Sequence, residues 1–113
     1  MKNLKIATAQ FENKSGDKNY NLSVIEKLSQ KAANEGCDVI SFHECSITGY
    51  TFARHLSKDQ MLHLAEIIPT GESILRLIQI AKNNDIVILA GLFEKDENDN
   101  LFKAYLCVDK NCL

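Results

Sequence analysis

The stretch Cys37-Asp38-Val39-Ile40-Ser41-Phe42-His43-Glu44-Cys45-Ser46-Ile47-Thr48-Gly49-Tyr50 decides how this chain is read. Val39–Phe42 is a short apolar run, with Glu35-Gly36 and Asp38 before it and a polar loop holding Gly49 after it. A run of that length between turn signals is the pattern of a buried, parallel strand. Glu44 falls just past its C-terminal end, the edge of an open α/β sheet where ligand and catalytic groups collect. Apolar surroundings raise a carboxylate's pKa towards the range useful to a general base. Position alone favours a plainer role, because strands often end in a charge where the chain reaches water.

Working outward, residues 4–11 alternate weakly and form a first strand. The polar segment that follows contains Ser15-Gly16-Asp17, a turn signal with Asp17 as a helix N-cap. Leu22, Ile25, Leu28 and Ala32 then recur at three- and four-residue steps, one apolar stripe of a helix ending near Glu35. Gly36 closes it, because glycine takes the left-handed conformation without a Cβ clash. Residues 46–56 read as a loop whose Tyr50 and Phe52 either wall a pocket beside Glu44 or anchor the loop on the core.

Beyond that loop, Ser57 and Gln60 have capping-box spacing, and Leu56 with Met61 has the spacing of a hydrophobic staple. The helix they start is expected to bury Met61, Leu62, Ala65 and Ile68, until Pro69-Thr70-Gly71 breaks the chain. A third helix covers residues 72–83, with Ile74, Leu75, Ile78 and Ala81 inward. Residues 86–93 form an apolar strand expected to be covered on both faces. After the charged loop 95–100, Leu101–Val108 returns antiparallel. The order is strand, helix, strand, helix, helix, strand, strand, an α/β sheet with helices on at least one face.

With 113 residues, 45% hydrophobic and 25% charged, the chain has the composition of a single soluble globular domain. A net charge of −2, with lysines scattered among acids, excludes a nucleic-acid partner of the usual kind. No apolar stretch reaches membrane-spanning length, and the first residues show no signal-peptide core, so no membrane partner and a cytoplasmic location are expected. There Cys37, Cys45, Cys107 and Cys112 are expected as free thiols, Cys37 packing as a small hydrophobe. His43, Cys45, His55 and His63 are the only candidate metal ligands, and they lack zinc-site or His-Glu-x-x-His spacing, so no metal is expected. No glycine-rich phosphate loop is present, and no cofactor is expected.

Four segments, taken in order, resemble the nitrilase (carbon–nitrogen hydrolase) superfamily. Ile6-Ala7-Thr8-Ala9-Gln10 resembles its opening strand, and Asn21-Leu22 the start of its first long helix. Gly36-Cys37-Asp38-Val39-Ile40 to His43-Glu44, then Thr48-Gly49-Tyr50, resembles its first catalytic block. Gly91-Leu92-Phe93-Glu94 resembles its next strand. The resemblance implies an αββα sandwich, of which residues 1–113 are the N-terminal part of a single domain. It also implies hydrolysis of a small amide, carbamoyl compound or nitrile by a Glu-Lys-Cys triad. Glu44 is then the general base, and Tyr50 and Glu94 are candidate substrate-side residues; Glu94 fits equally a solvated strand end.

The family's lysine and cysteine blocks follow later than any residue here, so the resemblance implies a fragment inactive alone and completed by a missing part. Lys103 comes too early to be the catalytic lysine and stands where the family often has Asn. His43 stands where it usually has Pro. None of the four cysteines matches the nucleophile block, and Cys45, adjacent to Glu44, is expected to point away from it. Apolar faces left bare would promote self-association or marginal stability, and the resemblance also suggests a homo-oligomer. The competing reading, of another class, is a non-catalytic α/β interaction module.

Overall fold

The computed structural model describes residues 3–111. Its elements are β1 (Ile6–Ala9), α1 (Lys18–Asn34), β2 (Val39–Phe42), a 3-10 turn (Thr51–His55), α2 (Lys58–Leu64), α3 (Glu72–Asn84), β3 (Val87–Lys95) and β4 (Leu101–Val108). They make one four-stranded sheet in the order β1-β2-β3-β4. The first three strands are parallel and β4 closes an antiparallel hairpin on β3. This is the expected order, with a shorter first strand and a 3-10 turn in the loop after Glu44.

Local chemistry explains the boundaries. The Asp17 carboxylate accepts the Tyr20 N–H and starts α1. Gly36, at φ +83°, takes the left-handed turn that ends it, while the Cys37 N–H returns to the Ala32 carbonyl. The Ser57–Gln60 capping box is present in both directions. Asp85, at φ +48°, terminates α3.

Register sorts the sheet into two faces. Ala7, Ile40, Ile88 and Val108 lie in one row, and with Phe42, Ala90, Leu92 and Leu106 they form the core against α1 and α3. Ile25, Ile74 and Leu77 from those helices are fully buried there. Each such side chain contributes about 1.5–3 kcal/mol of transfer free energy. A smaller cluster of Cys45, Leu64, Ala65 and Phe93 sits under α2, with Leu56 and Met61 packed against it.

The other face carries Ile6, Val39 and Val87 in one row and Thr8, Ser41, Leu89 and Cys107 in the next. No described element covers these two rows. Ile6 is 58% exposed and Tyr105 48%, and Val87 and Leu89 are only half-buried. The expectation that residues 86–93 are covered on both faces holds at Gly91 and Phe93, where the loop after Glu44 and the cluster under α2 lie on this face, and is corrected at Val87 and Leu89, which no helix reaches.

Two helix faces also differ from expectation. In α3 the inward set is Ser73, Ile74, Leu77, Ile80 and Ala81, whereas Leu75 is 57% exposed and Ile78 packs at the margin. The apolar residues at 74, 77 and 81 share one stripe, and Leu75 lies about 100° around the helix from Ile74. In α2 the helix stops at Leu64, which is buried in place of the expected Leu62. Ala65 and Glu66 turn extended because Glu66 pairs with β3, its N–H donating to the Phe93 carbonyl at 3.0 Å. Ile68 then packs on the main core from a loop.

Candidate active site

β2 stops at Phe42, while β3 runs on to Lys95. The vacated edge of β3 is taken over by the loop after Glu44, whose Ile47 N–H donates to the Gly91 carbonyl at 3.0 Å, and then by Glu66. The loop approaches so closely that a Cβ on Gly91 would stand 2.6 Å from the Cys45 nitrogen. Glycine inside an apolar strand is the mark of such an approach.

Cys45 itself sits at φ +53°, unusual for a residue with a side chain, and is fully buried. Asn13 donates to the Cys45 and Ser46 carbonyls, both at 3.3 Å. Buried Asn21 donates to the Ile47 carbonyl at 2.8 Å, and the Gly16 N–H to the Thr48 carbonyl at 2.8 Å. The elbow is thus fixed from three sides, and it turns Glu44 outward as Cys45 turns in.

Glu44 projects over the open face of the sheet, its side chain 62% exposed. Its carboxylate meets the Lys103 ammonium of β4 at 2.5 Å, and the hydrogen bond from that ammonium holds the lysine above its usual pKa. Lys103 also lies 4.8 Å from the centre of the Tyr50 ring, which stacks on Phe93 with centroids 6.4 Å apart. Phe42, Glu44, Lys103, Ala104 and Tyr105 line an open cleft of about 410 Å³. The Tyr105 hydroxyl donates to the Phe42 carbonyl at 2.5 Å and lies 2.9 Å from the Ser41 Oγ.

Of the residues singled out by sequence, Glu44 and Tyr50 come together through Lys103. Glu94 does not join them: it follows Phe93 on the strand, is half-buried, and pairs with Glu66 and Phe102 away from the cleft-lining residues. Phe52 packs in the small cluster under α2. Cys45 is fully buried, and burial, and then the charge of Glu44, pushes its thiol pKa up, with Lys103 opposing. Cys37 and Cys107 are also free thiols, Cys107 exposed on the open face, while Cys112 lies outside the described residues. Among the described residues no three His, Cys, Asp or Glu side chains are grouped to hold a metal. Lys103 and Tyr105 were not foreseen as partners of Glu44. For Gly91 the signal was there, an isolated glycine in an apolar strand, but no close approach was read from it.

His43 packs edge-on against Phe11, centroids 5.1 Å apart, and its buried Nδ1 makes no hydrogen bond among the described residues. Burial pushes its pKa below the ordinary 6.5. The unfolded chain then binds more protons than the folded one, so this residue's share of stability is present above about pH 6.5 and lost as pH falls through the folded pKa. Thermal melts from pH 7.5 to 5.5 check this: His43→Leu loses less stability on acidification than the parent, and parallel losses would remove His43 as a cause.

The carbon–nitrogen hydrolase family model matches residues 5–112. The chain belongs to the carbon–nitrogen hydrolase family. A nitrilase from Pyrococcus abyssi is 34% identical over 92 residues, which cover 81% of this chain and 33% of that protein. The chain therefore spans about a third of the curated relative's length. Its fold is that of solved carbon–nitrogen hydrolase relatives. An amidase from Nesterenkonia sp. AN1 superposes with a TM-score of 0.73 at 18% identity, covering 96% of this chain and 40% of that one. An N-terminal amidase crystallised with a Gln-Val peptide gives 0.77 at 21%, covering 95% and 25%. Against the expected αββα sandwich, the described residues supply one sheet, with α1 and α3 on one face and α2 against one end of the other. No helix among them is long and apolar enough to cross a membrane.

Proposed function

We propose that residues 1–113 are the N-terminal part of one carbon–nitrogen hydrolase domain and that Glu44 is its general base, acting on a small amide, carbamoyl compound or nitrile. The observation that carries this reading is the elbow. A buried left-handed Cys45, seated on Gly91, delivers the carboxylate to the C-terminal edge of parallel strands and over an open cleft. Tyr50, stacked on Phe93 beside Lys103, serves as a substrate-side wall. The chemistry is attack by an activated nucleophile, whose proton Glu44 accepts and passes to the departing nitrogen, before taking a proton from the water that releases the acyl group and handing it back to the nucleophile. The solved Nesterenkonia amidase supports the substrate class, since acrylamide adds to its active-site cysteine and a variant of it was crystallised with butyramide.

The nucleophile and the lysine that stabilises the oxyanion lie outside these residues, and the 113-residue chain by itself is inactive. The bare sheet face is closed in the working protein, which assembles as a homo-oligomer in the cytoplasm without a nucleic-acid partner. Ammonia release from butyramide tests the reading. The polypeptide that includes the later lysine and cysteine blocks releases ammonia, and residues 1–113 alone do not. Absence of turnover of any small amide or nitrile by the longer polypeptide would sink it.

A further inference from the structure

β4 presents residues 103 and 105 to the same face of the sheet, about 7 Å apart along the strand. Each lies opposite a residue of β3 that shapes what it can reach. Tyr105 pairs with Gly91, which has no side chain, so the phenol crosses β3 and bonds to the Phe42 carbonyl on β2. Lys103 pairs with Phe93, whose ring carries Tyr50, and the ammonium is held between that tyrosine and Glu44. An exposed ion pair alone holds a side chain weakly. Here one strand grips both the backbone two residues before Glu44 and the Glu44 carboxylate.

We propose that Tyr105 and Lys103 are positioning residues for Glu44: the phenol pins the strand end that carries it, and the ammonium aims its carboxylate over the cleft. The inference rests on the reading of Glu44 as the base. It gives both residues a role other than contact with the substrate.

The test uses the polypeptide that hydrolyses amides. Tyr105→Phe removes only the hydroxyl, and Lys103→Met only the charge. Each lowers kcat on the order of ten- to hundredfold, the effect of misplacing a reacting group, and leaves KM within about twofold. Lys103→Arg, which keeps a cation able to hold the carboxylate, recovers most of the rate, and Cys107→Ser on the same strand face changes nothing. A raised KM with kcat retained places the two side chains on the substrate and overturns the inference, as does an unchanged kcat. Full activity of Glu44→Gln overturns the base assignment itself, and so is told apart from failure of the clamp. A second measurement needs no turnover. In the 113-residue chain the carbon-bound Lys103 side-chain NMR resonances next to the ammonium shift on Glu44→Gln, and resonances indifferent to that change overturn the pairing.

Discussion

Glu66→Ala lowers the unfolding free energy of the chain by about 3–5 kcal/mol, the cost of breaking a buried charged network by removing one partner. Glu66 is 8% exposed and sits where α1, α3 and β3 meet. One carboxylate oxygen accepts the Ser73 N–H at 2.7 Å, in the first turn of α3. The other accepts the Ser73 hydroxyl and pairs with the Lys18 ammonium at 3.0 Å. Lys18 also donates to the Leu64 carbonyl at 3.0 Å, which ties the start of α1 to the end of α2. The helix dipole favours a negative charge at that end of α3. Gly71 makes the room, for a Cβ there would stand 2.5 Å from the carboxylate.

Alanine leaves the Ser73 donors and the Lys18 charge without their acceptor in a site water reaches poorly. Glu66→Gln keeps shape and one acceptor and costs less, about 1.5–3 kcal/mol. Urea denaturation reads both as lower midpoints at unchanged slope. Single domains hold only about 5–15 kcal/mol, and one sheet face here is bare, so the alanine variant populates unfolded chain measurably. A loss below about 1 kcal/mol would show that the network does not hold these elements together.

In the polypeptide that completes the site, Glu44→Gln lowers kcat/KM for amide hydrolysis by about 10²–10⁴, the usual worth of a positioned general base. Glutamine keeps the size of the side chain and an oxygen for Lys103 but cannot take a proton. The loss does not arise from unfolding. Glu44 is 62% exposed, and an exposed ion pair contributes little to stability. The melting temperature therefore stays near that of the parent while turnover collapses. Hydrolysis at the parental rate would remove Glu44 from the chemistry and leave its placement a matter of surface charge.

These two carboxylates differ in how readable they were. Glu44 stood out because it follows a short apolar run directly, and strand ends are legible from local pattern. Glu66 gave no signal, since Ala65 and Ile68 on either side of it continue an apparently helical stripe. The helix ends early because β3 offers Glu66 an open edge, and that edge exists only because β2 stops at Phe42. Leu75 was misplaced for a related reason: the three- and four-residue steps admit more than one stripe, and packing against α1 and the sheet chose the one through Leu77.

Alone, the sequence determined the order of the elements, the Asp17 cap, the Ser57–Gln60 capping box, the turn at Gly36, the antiparallel return of β4 and the exit of Glu44 from a parallel strand. Each rests on residues within a few positions of one another, where backbone preference and side-chain periodicity act directly. What faces Glu44 was decided by the tertiary structure. Tyr105 reaches a carbonyl 63 residues away across a strand that has a glycine at the crossing point, and Lys103 meets Glu44 only through the register of the β3–β4 hairpin. Periodicity reports which face a residue takes, but register and the reach of one side chain over a neighbouring strand set which residue it meets there.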